Sequence, residues 1–307
     1  MGHDLKAVES VSAIPCKADG TKAHYMCTRC DKLFSDETGK TEVTKESLTI
    51  SRHFFNSDGV CTGCQFHEST GCRVFYDCDA DNDSGNADGL ISTECGWRYL
   101  EAAPADLRLV NGVPTVGFIS SGECGFRFGY YRTTDDGSHL YVNGTKTYNA
   151  ADCTGTAIGT GKTNTQLLVD AMGAEAYSSR SGSGKTAYYA AKLCDDLTYT
   201  YKGVTYSDWF LPSKDELNLM YTQLKANGMG FFSNAYYWSS SESSNYASDA
   251  WAQAFYNGDQ TPVWRDWGGR RRSYVCASCT GFLSHLNIYP FWVPAVLRAL
   301  FFSPKLS

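Results

Sequence analysis

Apolar positions along this chain come in short groups, and their period changes from one stretch to the next. From residue 108 to about 160, brief apolar runs alternate with turn residues, as in GFISSGECGFRFGYYRTTDDGSHLYVNGTKTY. That pattern predicts short strands joined by tight loops. Three segments then shift to helical spacing. TNTQLLVDAMG predicts a helix capped by Thr163 or Asn164 and stopped by Gly173, and KTAYYAAKLCDDL has a helix-forming centre. PSKDELNLMYTQLKANG is the clearest: Ser213 and Glu216 make a capping box, Leu217, Met220 and Leu224 share one face, and Gly228 ends it. After Gly230 the strand-and-loop pattern returns through about residue 282. The tail from 283 to 307 is apolar but broken by Pro290, Pro294 and Arg298, and it is too short to span a bilayer. Packing on the domain, self-association and irregular sequence past the domain's end all fit it.

These patterns divide the chain into a small N-terminal module (1–69), a main domain (70–282) and the apolar tail (283–307). With 42% apolar and 20% charged residues, a packed core is expected and wholesale disorder is not. Glycine at 29 residues and the lack of long apolar runs predict a loop-rich fold rather than a helical bundle. The net charge of −6 leaves one basic cluster, Arg270-Arg271-Arg272 with Arg265 nearby, so no nucleic-acid partner is expected. Thirteen cysteines are many for a cytosolic protein, and the odd count leaves at least one unpaired unless metals take some. Met1-Gly2-His3-Asp4 has neither the basic start nor the apolar stretch of a signal peptide, and reads as the start of a trimmed mature chain.

The first 69 residues carry HYMCTRCDKLFSDETGKTEVTKESLTI and then FFNSDGVCTGC. A CxxC turn places two thiolates on one side of a tight turn, and two such turns can close a tetrahedral site. Cys27, Cys30, Cys61 and Cys64 are therefore candidate zinc ligands. Their separation is longer than in most zinc ribbons, so disulfides and reduced thiols fit equally. The stretch CTRCDKLFSDETGKTEVT also resembles small CxxC modules of bacterial surface proteins. Further on, Asp77, Asp79, Asp81, Asp83 and Asp88 fall at positions 1, 3, 5, 7 and 12 of a loop, the oxygen-ligand spacing of a calcium site. Asn82 stands where such loops use glycine and Asp88 where they use a bidentate Glu. An acidic surface insertion is the simpler reading of the two.

GTGKT (159–163) and SGSGKT (181–186) look like phosphate loops, but the earlier glycine that the motif requires is Thr156 or Ser179. No Gly-x-Ser-x-Gly elbow and no His-Glu-x-x-His helix occurs, and no histidine lies between residues 140 and 284. No catalytic residue and no catalytic cofactor are expected.

Several phrases occur together in one order: VFYDCD, GWRYLEAAPADL, GTGKTNTQLLV, YYAAKLCDDL, SDWFLPSKDELNLMY and YYWSSSESSNYASDAWAQAF. The combination, over roughly residues 71–282, resembles domains of the C-type lectin fold related to formylglycine-generating enzymes. Within that group it is most similar to variable proteins of diversity-generating retroelements. The resemblance implies an α+β C-type lectin fold of short antiparallel strands with two to three helices, behind a small Cys-rich module. It further implies a surface lipoprotein, held to the outer membrane by a lipid anchor outside this sequence, whose segment of about 236–282 is diversified at template adenines. The chain departs from the family's closing VRAVRAF-like strand, having YVCASCTGF (274–282) instead.

Adenine mutagenesis of an AAC codon reaches Tyr, Ser, Asp, Gly, Arg, Thr, Pro and Val, much of the alphabet at Ser244, Asn245, Tyr246, Ser248, Tyr256, Asp259, Pro262, Asp266, Gly268 and Arg270. These ten, with Trp264 and Trp267, are the candidate ligand-binding residues. The two tryptophans need a different template codon such as AGG. Tyr and Trp supply large contact area at small entropy cost while Ser, Gly, Asn and Asp supply adaptable hydrogen bonds, the composition of a recognition surface. The expected function is non-catalytic binding of a protein or glycan ligand. Trp238, Trp251 and Phe255 should be buried scaffold; Tyr246, Tyr256, Trp264, Asp266, Trp267 and Arg270 should be exposed. Two alternatives stay open: a catalytic relative of formylglycine-generating enzymes using Cys276 and Cys279, and a calcium-dependent sugar-binding lectin.

Overall fold

The computed structural model describes residues 2–78, 97–117, 126–131, 139–179 and 184–266, and the backbone of two further strands at 274–276 and 279–282. It is a mixed α and β protein of short, mostly antiparallel strands and few helices, with a Cys-rich N-terminal region. That region holds a four-stranded meander of β1 (Leu5–Val8), β2 (His24–Cys27), β3 (Leu33–Phe34) and β4 (Glu42–Val43), followed by one helical turn, α1 (Lys45–Leu48), capped by the Thr44 side chain.

Among the described residues two four-stranded sheets frame the rest, with small two-stranded ribbons beside them. One has the order β7-β12-β6-β5, from β5 (Arg73–Asp77), β6 (Tyr99–Ala102), β7 (Trp209–Phe210) and β12 (Cys279–Phe282). The other has the order β10-β9-β8-β11, from β8 (Tyr236–Glu242), β9 (Asp249–Ala254), β10 (Gln260–Trp264) and β11 (Tyr274–Cys276). Its β11 runs parallel to β8 and the other pairs are antiparallel. Among the described residues three helices pack on them: α2 (Gly161–Met172), α3 (Ala190–Asp195) and α4 (Lys214–Leu219).

Strand β8 is buried on both faces, as alternation along a covered strand requires. Trp238 enters a cluster with Ala250, Ala252, Leu168, Met172 and Ala191, and its Nε1 donates to the Phe126 carbonyl at 2.9 Å. Tyr237 points the other way, to Phe255, Phe210, Leu217, Met220 and Leu224, and its hydroxyl donates to Asp106 at 2.5 Å. Past Trp238 the ladder slips, and the buried serines that follow bond loops instead. The Ser239 hydroxyl donates to the Trp251 carbonyl and that of Ser241 to the Gly155 carbonyl, while the Ser240 N–H donates to the Pro212 carbonyl. Small hydroxyls let three chain segments approach this strand with their backbone groups satisfied.

The capping box of α4 forms as the sequence predicts, and the helix continues through a π turn (Met220–Leu224) to Gly228 at φ 69°. Helix α2 stops at Gly173 as predicted but starts earlier, with Thr160 as its N-cap residue. The reason is tertiary: the Glu216 carboxylate accepts from the Gly159 and Gly161 amides, so the first turn needs no side chain of its own as a cap. In the 108–160 stretch only the hairpin Leu107–Val116 is strand among the described residues. Residues 139–160 are turns, because Asn143 and Asn149 side chains bond the backbone two residues on.

Candidate functional site

The segment from Ser244 to Asp266 sets exposed side chains next to buried ones. The loop between β8 and β9 carries Ser244, Asn245 and Tyr246, all exposed, and Ser248, half-buried. The ladder pairs Asp249 with Trp264, and the Arg265 amide donates to the Ser248 carbonyl at 3.0 Å, so Trp264 stands beside this loop. Tyr246 is 66% exposed and Trp264 55%. Asp266 is half-buried rather than exposed, because its Oδ1 accepts from the Tyr130 hydroxyl at 3.1 Å.

Arg265, between these two, is buried. Its Nη2 meets Glu242 Oε1 at 2.9 Å, its guanidinium lies 5.1 Å from the centre of the Phe128 ring, and its carbonyl accepts from the Phe128 amide. Glu242 also accepts from the amides of Val142 and Thr154. This pair fastens the two ends of the exposed loop to the core. In the sequence Arg265 reads as part of a basic cluster; its position one residue from an exposed tryptophan on a strand was the signal that it points inward.

The remaining candidates do not join this end. Tyr256 and Asp259 sit in the turn between β9 and β10, beyond the last ladder pair and ~17 Å along the strands from Trp264. Tyr256 is 52% exposed, and its hydroxyl bonds that of Tyr236 at 2.7 Å. Pro262 is half-buried midway along, opposite Trp251. The expected single face is thus two patches joined by a strand pair. Trp238 and Phe255 are buried as expected; Trp251 is only half-buried, because its ring is covered by the Lys214 ammonium, 4.4 Å from the ring centre, rather than by core. Trp267, Gly268 and Arg270 lie outside the described residues, as does the 283–307 tail.

The phosphate-loop likeness of GTGKT has a different use. The amides of Gly159 and Gly161 reach Glu216 Oε1 at 2.8 and 3.4 Å, and the Ser213 amide reaches Oε2 at 2.7 Å. An internal carboxylate occupies the place a phosphate would take. Burial raises the Glu216 carboxyl to about 7, with these N–H bonds opposing the rise.

The N-terminal cysteines gather into two groups, not one. Cys16, His53, Cys61 and Cys64 bring four ligand atoms together, and His3, Cys27 and Cys30 bring three; either group could hold a metal ion. The single Cys27–Cys30–Cys61–Cys64 site drawn from the sequence is therefore corrected: each CxxC pair recruits a histidine, and one recruits Cys16 as well. No spacing rule points to Cys16 or His53, which the chain brings in from distant turns. Bonds from the Arg29 amide above all, then from His3 and Cys30, hold the Cys27 thiol down at about 6. At Cys61 burial pushes upward, but donors led by the Gly63 amide and His53 bring the thiol to about 6.

The calcium spacing is not assembled within the described residues. Asp77 ends β5 with its two carboxylate oxygens turned to Arg98, at 3.1 and 3.3 Å, while Asp79, Asp81, Asp83 and Asp88 lie outside the described residues. Cys276 ends β11 and Cys279 begins β12, strands of different sheets.

One further constellation has nucleophile, base and carboxylate in a row. Ser69 Oγ lies 2.9 Å from His67 Nε2, and His67 Nδ1 contacts the buried Glu101. The Asp58 carbonyl, however, lies 3.1 Å from the same Nε2. A carbonyl there needs a proton on Nε2, which makes that nitrogen a donor and removes it as a base for Ser69. The group ties the N-terminal module to β6.

No known family model and no curated protein matches the chain.

Proposed function

We propose that this protein is a non-catalytic ligand-binding protein of the C-type lectin fold, displaying a diversified surface on a fixed scaffold. The observation that carries it is the alternation at Trp264-Arg265-Asp266. The exposed Trp264 and the exposed Tyr246 of the β8–β9 loop lie on segments tied to a buried ion pair, through Arg265 and Glu242 at their ends. Rigid aromatics with small polar neighbours are what a surface needs to bind without a large ordering cost. Short antiparallel strands, three helices on the sheets and long satisfied loops among the described residues support the lectin-like reading. Outer-membrane display and retroelement diversification belong to it through the sequence resemblance. A metal-stapled N-terminal module, with zinc as the ion, completes the scaffold.

The test is a screen of the intact protein against glycan and cell-surface protein arrays, repeated with the Tyr246→Ala/Trp264→Ala double variant. The expected result is capture that the double variant loses by tenfold or more while its melting temperature is unchanged. Capture indifferent to the double variant would overturn the assignment of this face.

A further inference from the structure

We propose that Cys16, His53, Cys61 and Cys64 together hold one structural zinc ion, as a Cys3His tetrahedron that closes the N-terminal module. The inference stands on the geometry of these four residues and does not rest on the ligand-binding reading above.

The ligand atoms all lie within 4.8 Å of one another. Two edges of the group are Cys16 Sγ to Cys61 Sγ at 3.7 Å and Cys64 Sγ to His53 Nδ1 at 3.4 Å. A tetrahedral ion with Zn–S of about 2.3 Å and Zn–N of about 2.0–2.1 Å sets S···S edges of ~3.8 Å and S···N edges of ~3.5 Å. The two edges match. A disulfide needs sulfurs about 2.05 Å apart, and joining any two of these three would leave the third thiol and the imidazole without a role.

The backbone is shaped for the same purpose. The Cys61 amide donates to the Phe66 carbonyl, the Gln65 amide donates to the Cys61 carbonyl, both at 2.8 Å, and Gln65 has φ 59°. The Cys27–Cys30 turn repeats these bonds with Lys32 and Asp31, the latter at φ 57°. Both are knuckles that aim two sulfurs to one side. Cys16, itself at φ 57°, is set against the first knuckle by its amide bond to the Arg52 carbonyl, which also fixes the approach of His53. Gly63 leaves the space: a Cβ there would stand 2.9 Å from Cys16 Sγ.

The module needs such a staple. Before Cys72 its large buried apolar side chains are Phe34, Leu48 and Val60, whereas Val11, Ile14 and Phe54 are exposed. The two large hydrophobic clusters draw on no residue before Cys72. A segment of this size with so small a core requires cross-links, metal or docking to hold its turns together.

Charge and protons balance. Three thiols release three protons and no electron moves, so three thiolates and Zn2+ leave a net charge of −1. Lys17, Arg52 and Arg73 line a cavity of about 330 Å3 together with Cys16 and His53, which brings positive charge to that side of the site. Ligation through the Nδ1 lone pair puts the imidazole proton on Nε2, which in this structure accepts from Arg52 Nε at 3.2 Å. That Arg52 bond therefore releases when the ion binds.

The experiment is elemental analysis of the full-length chain and its variants, with cobalt substitution as a spectroscopic check. Cys64→Ser and His53→Ala should each lose one equivalent of zinc relative to wild type, whatever the His3–Cys27–Cys30 group holds, whereas Cys30→Ser should keep that equivalent. His53→Cys, which preserves four ligands, should retain zinc and the wild-type melting temperature, and it decides the matter if the other variants fail to fold. Cobalt-loaded wild type should show the ligand-field bands of a tetrahedral thiolate site. Iron in place of zinc, a disulfide among Cys16, Cys61 and Cys64 in the purified chain, or zinc content indifferent to Cys64→Ser would each overturn the proposal.

Discussion

Glu242 and Arg265 pair at 2.9 Å beneath the exposed loop, with side chains 0% and 1% exposed. A buried pair of this kind is weak evidence of net stabilisation, since both charges lose their water, yet removing one partner strands the other. Arg265→Ala is therefore expected to destabilise the protein by ~3–5 kcal/mol. It should also loosen the Ser244–Ser248 loop, because the guanidinium that pairs with Glu242 before the loop and donates to the Asp249 carbonyl after it is lost. Urea unfolding measures the first effect and limited proteolysis the second. A loss under ~1 kcal/mol would mean that the amides of Val142 and Thr154 suffice for Glu242.

The exposed aromatics should be free of that burden. Tyr246→Ala and Trp264→Ala are expected to change stability by no more than ~0.5 kcal/mol, as surface positions do. Trp238→Ala and Phe255→Ala, both buried, should each cost ~3–5 kcal/mol. Thermal unfolding of the four variants separates the sets. If Trp264→Ala destabilises like Trp238→Ala, the tryptophan serves the fold and not a ligand.

Glu216 makes stability depend on pH. Its carboxyl is raised from 4.5 to about 7 by burial, so the native state holds the proton more tightly than the unfolded chain does. The resulting contribution is full below pH 4.5 and is lost as pH climbs through 7, an effect of ~3 kcal/mol at 1.36 kcal/mol per unit. Burial also raises Asp106 and Asp208, and their effect runs the same way. Comparing wild type with Glu216→Gln isolates Glu216, since the other two are common to both chains. Wild type should lose stability relative to Glu216→Gln from pH 4.5 to 7, and parallel curves would show that the three amides keep Glu216 ionised throughout. Gly161→Ala probes the same contact sterically. A Cβ there would lie 2.2 Å from Glu216 Oε2 and 2.8 Å from the Phe210 ring, so that variant should be severely destabilised.

How far the sequence could be read depended on how local each signal was. The α4 capping box, Gly173 and Gly228 as stops, and buried Trp238 and Phe255 were all legible, because a cap or an alternating strand is written in adjacent residues. The start of α2 was not, because Glu216 satisfies its amides from fifty-odd residues away. Trp251 escaped burial for a similar reason: its cover is a lysine at the start of another element. The CxxC pairs announced metal chemistry, but their partners Cys16 and His53 come from turns whose approach only folding defines. The candidate binding residues share one composition, yet the ladder places them at two ends of a strand pair, and composition carries no register.

That division gives the diversification reading a sharp test in the encoding DNA. If the segment is copied from a template, a near-identical repeat beside a reverse-transcriptase gene should differ from it only at template adenines. The differences should fall on Ser244, Asn245, Tyr246, Ser248, Tyr256, Asp259, Pro262, Trp264 and Asp266. They should spare Trp238, Glu242, Phe255 and Arg265, whose side chains are buried at the base of both patches. Substitution at Arg265 would strand Glu242, so a template that varied it would produce mostly misfolded copies. Sibling copies that differ at buried and exposed positions alike would remove the physical basis for diversification, because a scaffold that tolerates variation must keep its core constant. Siblings confined to one patch would instead locate the ligand at that end of the β9–β10 pair.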